Sequence, residues 1–269
     1  MAAQAPAIRR AIRRLVDSTW LYRVLTLVIG LAIWQVATTQ GGSHLLTPTV
    51  PETAAGIASL LVSPAFWNAM IVTNQALVIG FAISVVAGIP IGLAMGRFRR
   101  VELFTDVYVN ILVVTPMAAT FPLLMMSIGI GLSARVLVVV LFAMVMVTVN
   151  TRAGVRQVNP TLIDMARCFG ADERQVWTTI LLPAALPAIM TGIRIAVGRA
   201  VTGMVIVELL LVAAGIGALI LDFEGQLEAG LMYGTIILVV LESILLIQAA
   251  RWIERRVAPW AYASEAFRN

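Results

Sequence analysis

The chain contains no lysine; all 19 of its basic residues are arginine. A nucleotide-binding P-loop sets a lysine on the phosphates. This chain therefore holds no ordinary ATP-hydrolysing site, and Schiff-base chemistry is excluded with it. There is one cysteine, Cys168, and one histidine, His44. They exclude an intrachain disulfide and a His/Cys metal cluster. Charge is scarce too: 12% of the 269 residues are charged, against roughly 25% in soluble domains. No Ser/His/Asp set and no His/Asp/Glu cluster stands out, so we expect no catalytic residue and no metal ligand.

What the chain has instead is apolar surface. Hydrophobic residues make up 60% of it and the mean hydropathy is +0.95. A soluble domain of this composition lacks the polar surface to stay in solution, and a disordered chain would not be so apolar. The composition describes an integral membrane protein. The net charge of +5 does not point to nucleic acid, because the arginines cluster beside apolar runs as in positive-inside loops.

Apolar runs predict six spans: about 22–38, 68–96, 107–128, 134–150, 185–212 and 229–250. A Gly41-Gly42 turn ends the first. Residues 43–65, with Pro48, Pro51 and Pro64 and no arginine, read as an outside loop. Arg97, Arg99, Arg100, Arg251, Arg255 and Arg256 mark inner ends, which puts both termini in the cytoplasm. Arg135 is the exception. Residues 1–20 pair Arg9, Arg10, Arg13 and Arg14 with apolar neighbours, as in a helix lying on an anionic leaflet, at about 1 kcal/mol per arginine. A secretory signal would use the same residues, but no small-x-small cleavage site follows. The expected division is 1–20 basic segment, 21–256 transmembrane domain and 257–269 cytoplasmic tail.

Several features inside the spans invite a role. Gly80, Ser84, Gly88, Gly92 and Gly96 recur every fourth residue, a surface for close backbone approach in the bundle or in a dimer. Thr115-Pro116, Thr120 and Phe121-Pro122 break the third span; such breaks are tolerated in protein or beside a water-filled path. Arg199, Glu208 and Glu242 each cost about 2.5–3.5 kcal/mol at mid-membrane and need a partner or water. Arg199 and Glu208 stand about 13.5 Å apart along one helix and cannot pair there. We take Thr115, Pro116, Thr120, Arg199 and Glu208 as candidates for a translocation path.

Residues 151–183 form a long, arginine-containing inner loop. Asn159-Pro160 is a helix start, with Asn at the N-cap and Pro at N1. Gly170 is placed for a left-handed cap. Asp172 and Gln175 make a second start of capping-box type, and that helix is expected to end near Leu182-Pro183. Two ordered short helices between spans suit a docking piece for another protein.

The run Asp164-Met165-Ala166-Arg167-Cys168-Phe169-Gly170-Ala171, followed by Ile180-Leu181-Leu182-Pro183-Ala184-Ala185-Leu186-Pro187, resembles the EAA loop of ABC-importer permeases. Gly192-Ile193-Arg194 through Glu208, Leu46 to Pro51 and Gly88 to Gly92 resemble the nitrate/sulfonate/taurine branch. The likeness covers residues 45–256. Asp164 stands where the family has Glu, and Met165 where it has Ala. The resemblance implies an all-α polytopic fold of type I importer architecture with a two-helix coupling loop. It implies a separate cytoplasmic P-loop ATPase dimer that binds ATP and Mg, contacted by Asp164, Met165, Ala166, Arg167, Gly170, Ala171, Leu182 and Pro183. It also implies an extracytoplasmic substrate-binding protein, a homodimer of permeases in the lipid of a bacterial inner membrane, and a small solute such as a sulfonate, taurine, nitrate or organic acid. No cofactor is expected in this chain. Asp222, Glu224 and Glu228 form an acidic outside patch that fits the binding protein or a merely solvated loop. Two other classes fit less well: an ion-coupled secondary transporter or channel, using Glu208 and Glu242, and a membrane enzyme.

Overall fold

The computed structural model describes residues 19–40, 46–210 and 214–260. The basic segment up to residue 18, the Gly41-Gly42 turn, His44 and tail residues 261–269 lie outside the described residues. Among the described residues all regular structure is helical. Contacts divide the described residues into two compact units that part after residues 62, 222 and 234, the first holding the segment up to 62 with 223–234 and the second the rest.

In the first unit, α1 (Thr19–Gln40) is long and apolar enough to cross a membrane and is almost bare of protein contact. Its end is tied to the following turn: the Trp34 indole N–H donates to the Pro48 carbonyl at 3.1 Å, and the Gln35 side chain accepts from Val50 N at 3.0 Å. The expected loop 43–65 contains a helix, α2 (Val50–Leu61). Thr49 caps it by accepting from Glu52 N while Glu52 accepts from Thr49 N. Pro51 sits in the first turn, where a missing N–H costs nothing.

The second unit is a bundle. Its long helices are α3 (Pro64–Arg97), α6 (Leu132–Arg156), α9 (Leu182–Leu210) and most of α11 (Ala229–Val257). Between α3 and α6 run α4 (Arg99–Val114) and α5 (Met117–Ile128), bent against each other by 104°. Among the described residues, α1 included, five helices are long and apolar enough to span, or six when the bent pair counts as one. The break falls at Thr115-Pro116. The second break expected at Phe121-Pro122 does not occur: Pro122 lies inside α5. After α6 come α7 (Pro160–Cys168) and α8 (Glu173–Gln175). A short helix, α10 (Gly215–Gly225), follows α9.

The expectation that the second loop helix stops at Leu182-Pro183 is overturned. From α8 the chain passes through a π-helical turn, Val176–Leu181, straight into α9. The Leu182 N–H reaches back five residues to Trp177 O. The wider turn accommodates the ring and missing N–H of Pro183 where a regular turn would clash. Val176 and Leu181 are buried and hold the turn in place.

The small-residue stripe of α3 packs inside the bundle. A Cβ on Gly80 would lie 2.6 Å from Val139 Cβ, and one on Gly92 would lie 2.6 Å from the Thr148 carbonyl oxygen and from Thr151 Cβ. These are contacts with α6, too close for a methyl group. Gly92→Ala should destabilise the bundle in detergent by about 1–3 kcal/mol, the cost typical of overpacking, and lower its melting temperature. Gly30→Ala, with open space around its Cβ, should leave it unchanged or slightly raised. Equal melting of the two variants would contradict this packing.

Candidate functional site

Three constellations carry the sequence candidates. The first is the folded loop after α6. Asn159 accepts from Thr161 N at 3.0 Å and Asp172 from Gln175 N at 2.7 Å, as their positions predict. Gly170 has φ +81 and nothing within 4 Å of its Cβ position. It serves the left-handed turn, not a contact inside the chain. Ile163, Ala166, Ala171 and Trp177 pack on a buried cluster of Val155, Val158, Val176 and Leu181. The loop and the end of α6 thus share one apolar core.

One face of α7 stays bare. Leu162, Met165 and Phe169 are spaced i, i+3, i+7, and Phe169 is 87% exposed. They border a groove of about 540 Å³ whose other wall includes Ile180, Pro183, Ala184 and Trp260. Asp164 and Arg167 are exposed beside it. The helical run from Glu173 to Leu210 is 38 residues, about 57 Å. That is nearly twice a 30 Å hydrocarbon layer, so its Glu173 end stands clear of the membrane. There Glu173 accepts from Arg97 Nη2 at 2.7 Å and from Arg167 Nη2 at 3.2 Å, joining the end of α3 to α7. The hydrogen bond from Arg97, helped by Arg167, holds the Glu173 carboxyl below the usual carboxylate range. Acid that protonates the carboxyl therefore weakens the clamp, which is formed at neutral pH.

The second constellation surrounds Glu208, which is fully buried. Thr73 donates to it at 2.8 Å, Gly217 N at 3.1 Å and Arg135 Nη1 at 3.2 Å. Thr73 Oγ in turn accepts from Ile216 N at 2.9 Å. The start of α10 is thereby latched to α3, α6 and α9. Gly215 has φ +58, and a Cβ there would collide with Glu208. Arg135, the exception to the positive-inside pattern, is the counter-charge. Glu208, one of the residues expected along a path, is enclosed in an ion pair with Arg135.

The third group faces outward. Thr115 caps the end of α4 and donates to Ile111 O at 2.7 Å; Thr120 donates to Met117 O at 2.7 Å; Pro116 is exposed at the bend. α5 touches α6 and α9, and its Phe121 stacks at a tilt on Phe142, which also lies against Gly203 of α9. Arg199 stands one turn from Gly203, exposed, with no ion pair among the described residues. Arg194 is different: it binds Glu254 at 2.9 Å. Glu242 accepts from Asn74 at 2.6 Å. Asn74 also edges a groove of about 430 Å³ between α3, α9 and α11, whose lining is otherwise apolar.

The architecture of broken span, folded loop and long helices has relatives. Residues 88–259 match the family described as binding-protein-dependent transport system inner membrane component. The chain belongs to this family. It is a permease subunit of an ABC importer. It is 29% identical over 250 residues to the putative aliphatic sulfonates transport permease SsuC of Bacillus subtilis, covering 91% of this chain and 90% of that protein. It is 29% identical to the taurine transport system permease TauC of Escherichia coli, over 89% and 91% of the two chains. Among solved structures, a chain of the MetNI methionine ABC transporter, inward facing, matches with TM-score 0.56 and 21% identity, over 72% of this chain and 94% of that one. A chain of an amino acid ABC transporter matches with TM-score 0.59 and 15% identity, over 75% and 96%.

Family membership sets aside the secondary-transporter and channel reading for the permease. Sequence reasoning placed the loop but missed Leu162 and Phe169. Their i, i+7 spacing with Met165 was the available signal. It also missed the latch on Glu208, whose partners lie 73 and 135 residues away.

Proposed function

We propose that the permease works as the non-ATPase membrane subunit of its importer, two copies enclosing an alternating-access path. Its basic end, bearing Arg97, Arg152, Arg156 and Arg251, faces the cytoplasm, and six spans return both termini to that side. A P-loop ATPase dimer, carrying ATP and Mg, seats the bare α7 face with Asp164, Arg167 and the groove beside them. A substrate-binding protein delivers solute at the opposite end. The observation that carries this reading is Phe169: a side chain 87% exposed on an ordered, polar-flanked loop needs a partner to cover it.

The solute is a small anion of the sulfonate or taurine kind. Two named relatives support the class. Arg199 supports it physically. It lies about 25 Å along α9 from Leu182 and about 16 Å from Leu210, in a span where a bare cation costs about 2.5–3.5 kcal/mol. Water and a passing anion would lower that cost. Arg199→Gln should raise the KM for labelled taurine or methanesulfonate uptake at least tenfold, while Arg199→Lys retains most of the affinity. Unchanged KM in the Gln variant would remove Arg199 from the path.

The reading as a whole is tested by isolating the permease from its native membrane in mild detergent. Mass spectrometry should find a P-loop ATPase in stoichiometric amount. Recovery of the permease with itself alone would contradict the assignment.

A further inference from the structure

At the basic end of the bundle, α4 is held to α6 by a compact charge network. Glu102, 3% exposed, is the hub. It accepts from Arg99 of its own helix at 2.9 Å and pairs with Arg152 at 2.6 Å and with Arg156. Arg152 also reaches Asp106. Glu102 and Asp106 are four residues apart on α4, and Arg152 and Arg156 four apart on α6, so two faces interlock.

We propose that this network is the joint through which movement of the α7 loop reaches the bent α4–α5 pair. The proposal rests on the importer reading above. Three observations converge on it. First, α6 ends at Arg156 and α7 begins at Pro160. Val155 and Val158 share an apolar core with Ile163 and Ala166, so a push on α7 moves the last turn of α6. Second, α4 buries two residues, Glu102 and Val109. Val109 packs with Met95 of α3 and Val145 of α6, an apolar contact without direction. The charged hub supplies the directional tie that sets how α4 follows α6. Third, α4 runs about 24 Å from Arg99 to Val114 and ends at the 104° bend. A small rotation at the hub becomes a larger displacement of α5, which touches α9.

A purely structural role makes a different forecast. Arg99 already supplies a counter-charge to buried Glu102 from the same helix. If neutralising Glu102 were all that mattered, losing Arg99 and losing an α6 arginine would be alike. A joint depends on the α6 pair and not on Arg99.

The test uses the permease–ATPase complex as isolated, reconstituted in liposomes. Spin labels go on Met126→Cys of α5 and Ile195→Cys of α9, both exposed, in a Cys168→Ser background. The α5–α9 distance is measured without nucleotide and after trapping with ATP and vanadate. The distance should change in the parent. The double variant Arg152→Gln/Arg156→Gln should keep its ATPase and still trap nucleotide, yet lose at least nine-tenths of the distance change. Arg99→Gln should keep the change, and Arg152→Lys/Arg156→Lys should restore it. Should the double variant not assemble, the single Arg156→Gln is read the same way. A full distance change in the Gln variants, or none in the parent, overturns the joint. Absence of any ATPase from the parent complex instead refutes the importer assembly, a separate failure.

Discussion

Arg135→Ala should destabilise the permease more than replacing both members of its ion pair. Glu208 has no exposure, and Arg135 is 7% exposed. Removing the arginine leaves a carboxylate in a dry interior, which typically costs 3–5 kcal/mol. Thermal unfolding in detergent should fall by on the order of 10 °C. The double variant Arg135→Met/Glu208→Gln should recover much of this. Gln keeps the size of Glu and can still bond Thr73 and Gly217 N, and Met fills the arginine's volume without charge. If the double variant melted as low as Arg135→Ala, the pair would matter for more than mutual neutralisation. The same comparison reports on α10, because Glu208 and Thr73 accept its first N–H groups. Loosening the latch should also raise amide exchange at Ile216 and Gly217.

Phe169→Asp should abolish retention of the ATPase without unfolding the permease. The side chain makes little use of its own chain, whereas its backbone N–H closes α7 onto Met165 and Ala166 carbonyls whatever the side chain. An aromatic anchor seated in a partner's groove is worth about 2–4 kcal/mol, or roughly 30- to 1000-fold in affinity. A carboxylate in its place adds desolvation cost. Melting of the isolated permease should stay within about 0.5 kcal/mol of wild type, as for exposed substitutions elsewhere. Gly170→Asp acts by another route. Its Cβ meets nothing, but φ +81 charges a non-glycine residue about 1–2 kcal/mol of backbone strain. It should displace α7 and weaken, more than abolish, ATPase retention.

The loop was the most legible part of the chain, because its signals are local. Asn159-Pro160, Gly170 and the Asp172–Gln175 pair each act on backbone within three residues, and each performs the predicted bond or turn. Long apolar runs likewise placed α3, α6, α9 and α11. Reading failed where tertiary packing outweighs a local breaker. Pro183 looks like a stop, yet buried Val176 and Leu181 carry the chain through a π turn into α9. Pro122 looks like a second break, yet Phe121 packs on Phe142 and α5 continues. The helix α2 was hidden behind Pro48 and Pro51, although Thr49 and Glu52 announced it. The latch on Glu208 was not legible, because it depends on Thr73 and Arg135, which only the fold brings near.

Cys168 reports directly on whether the α7 loop seats an ATPase. It is the sole cysteine, is exposed and ends α7 next to Phe169. A maleimide-linked benzophenone on Cys168, photolysed in native membranes, will bond to whatever covers that face. We expect a cross-linked P-loop ATPase, identified by mass spectrometry and lost in Phe169→Asp. Cross-linking to lipid alone, or to an ATPase with equal yield in Phe169→Asp, would contradict it.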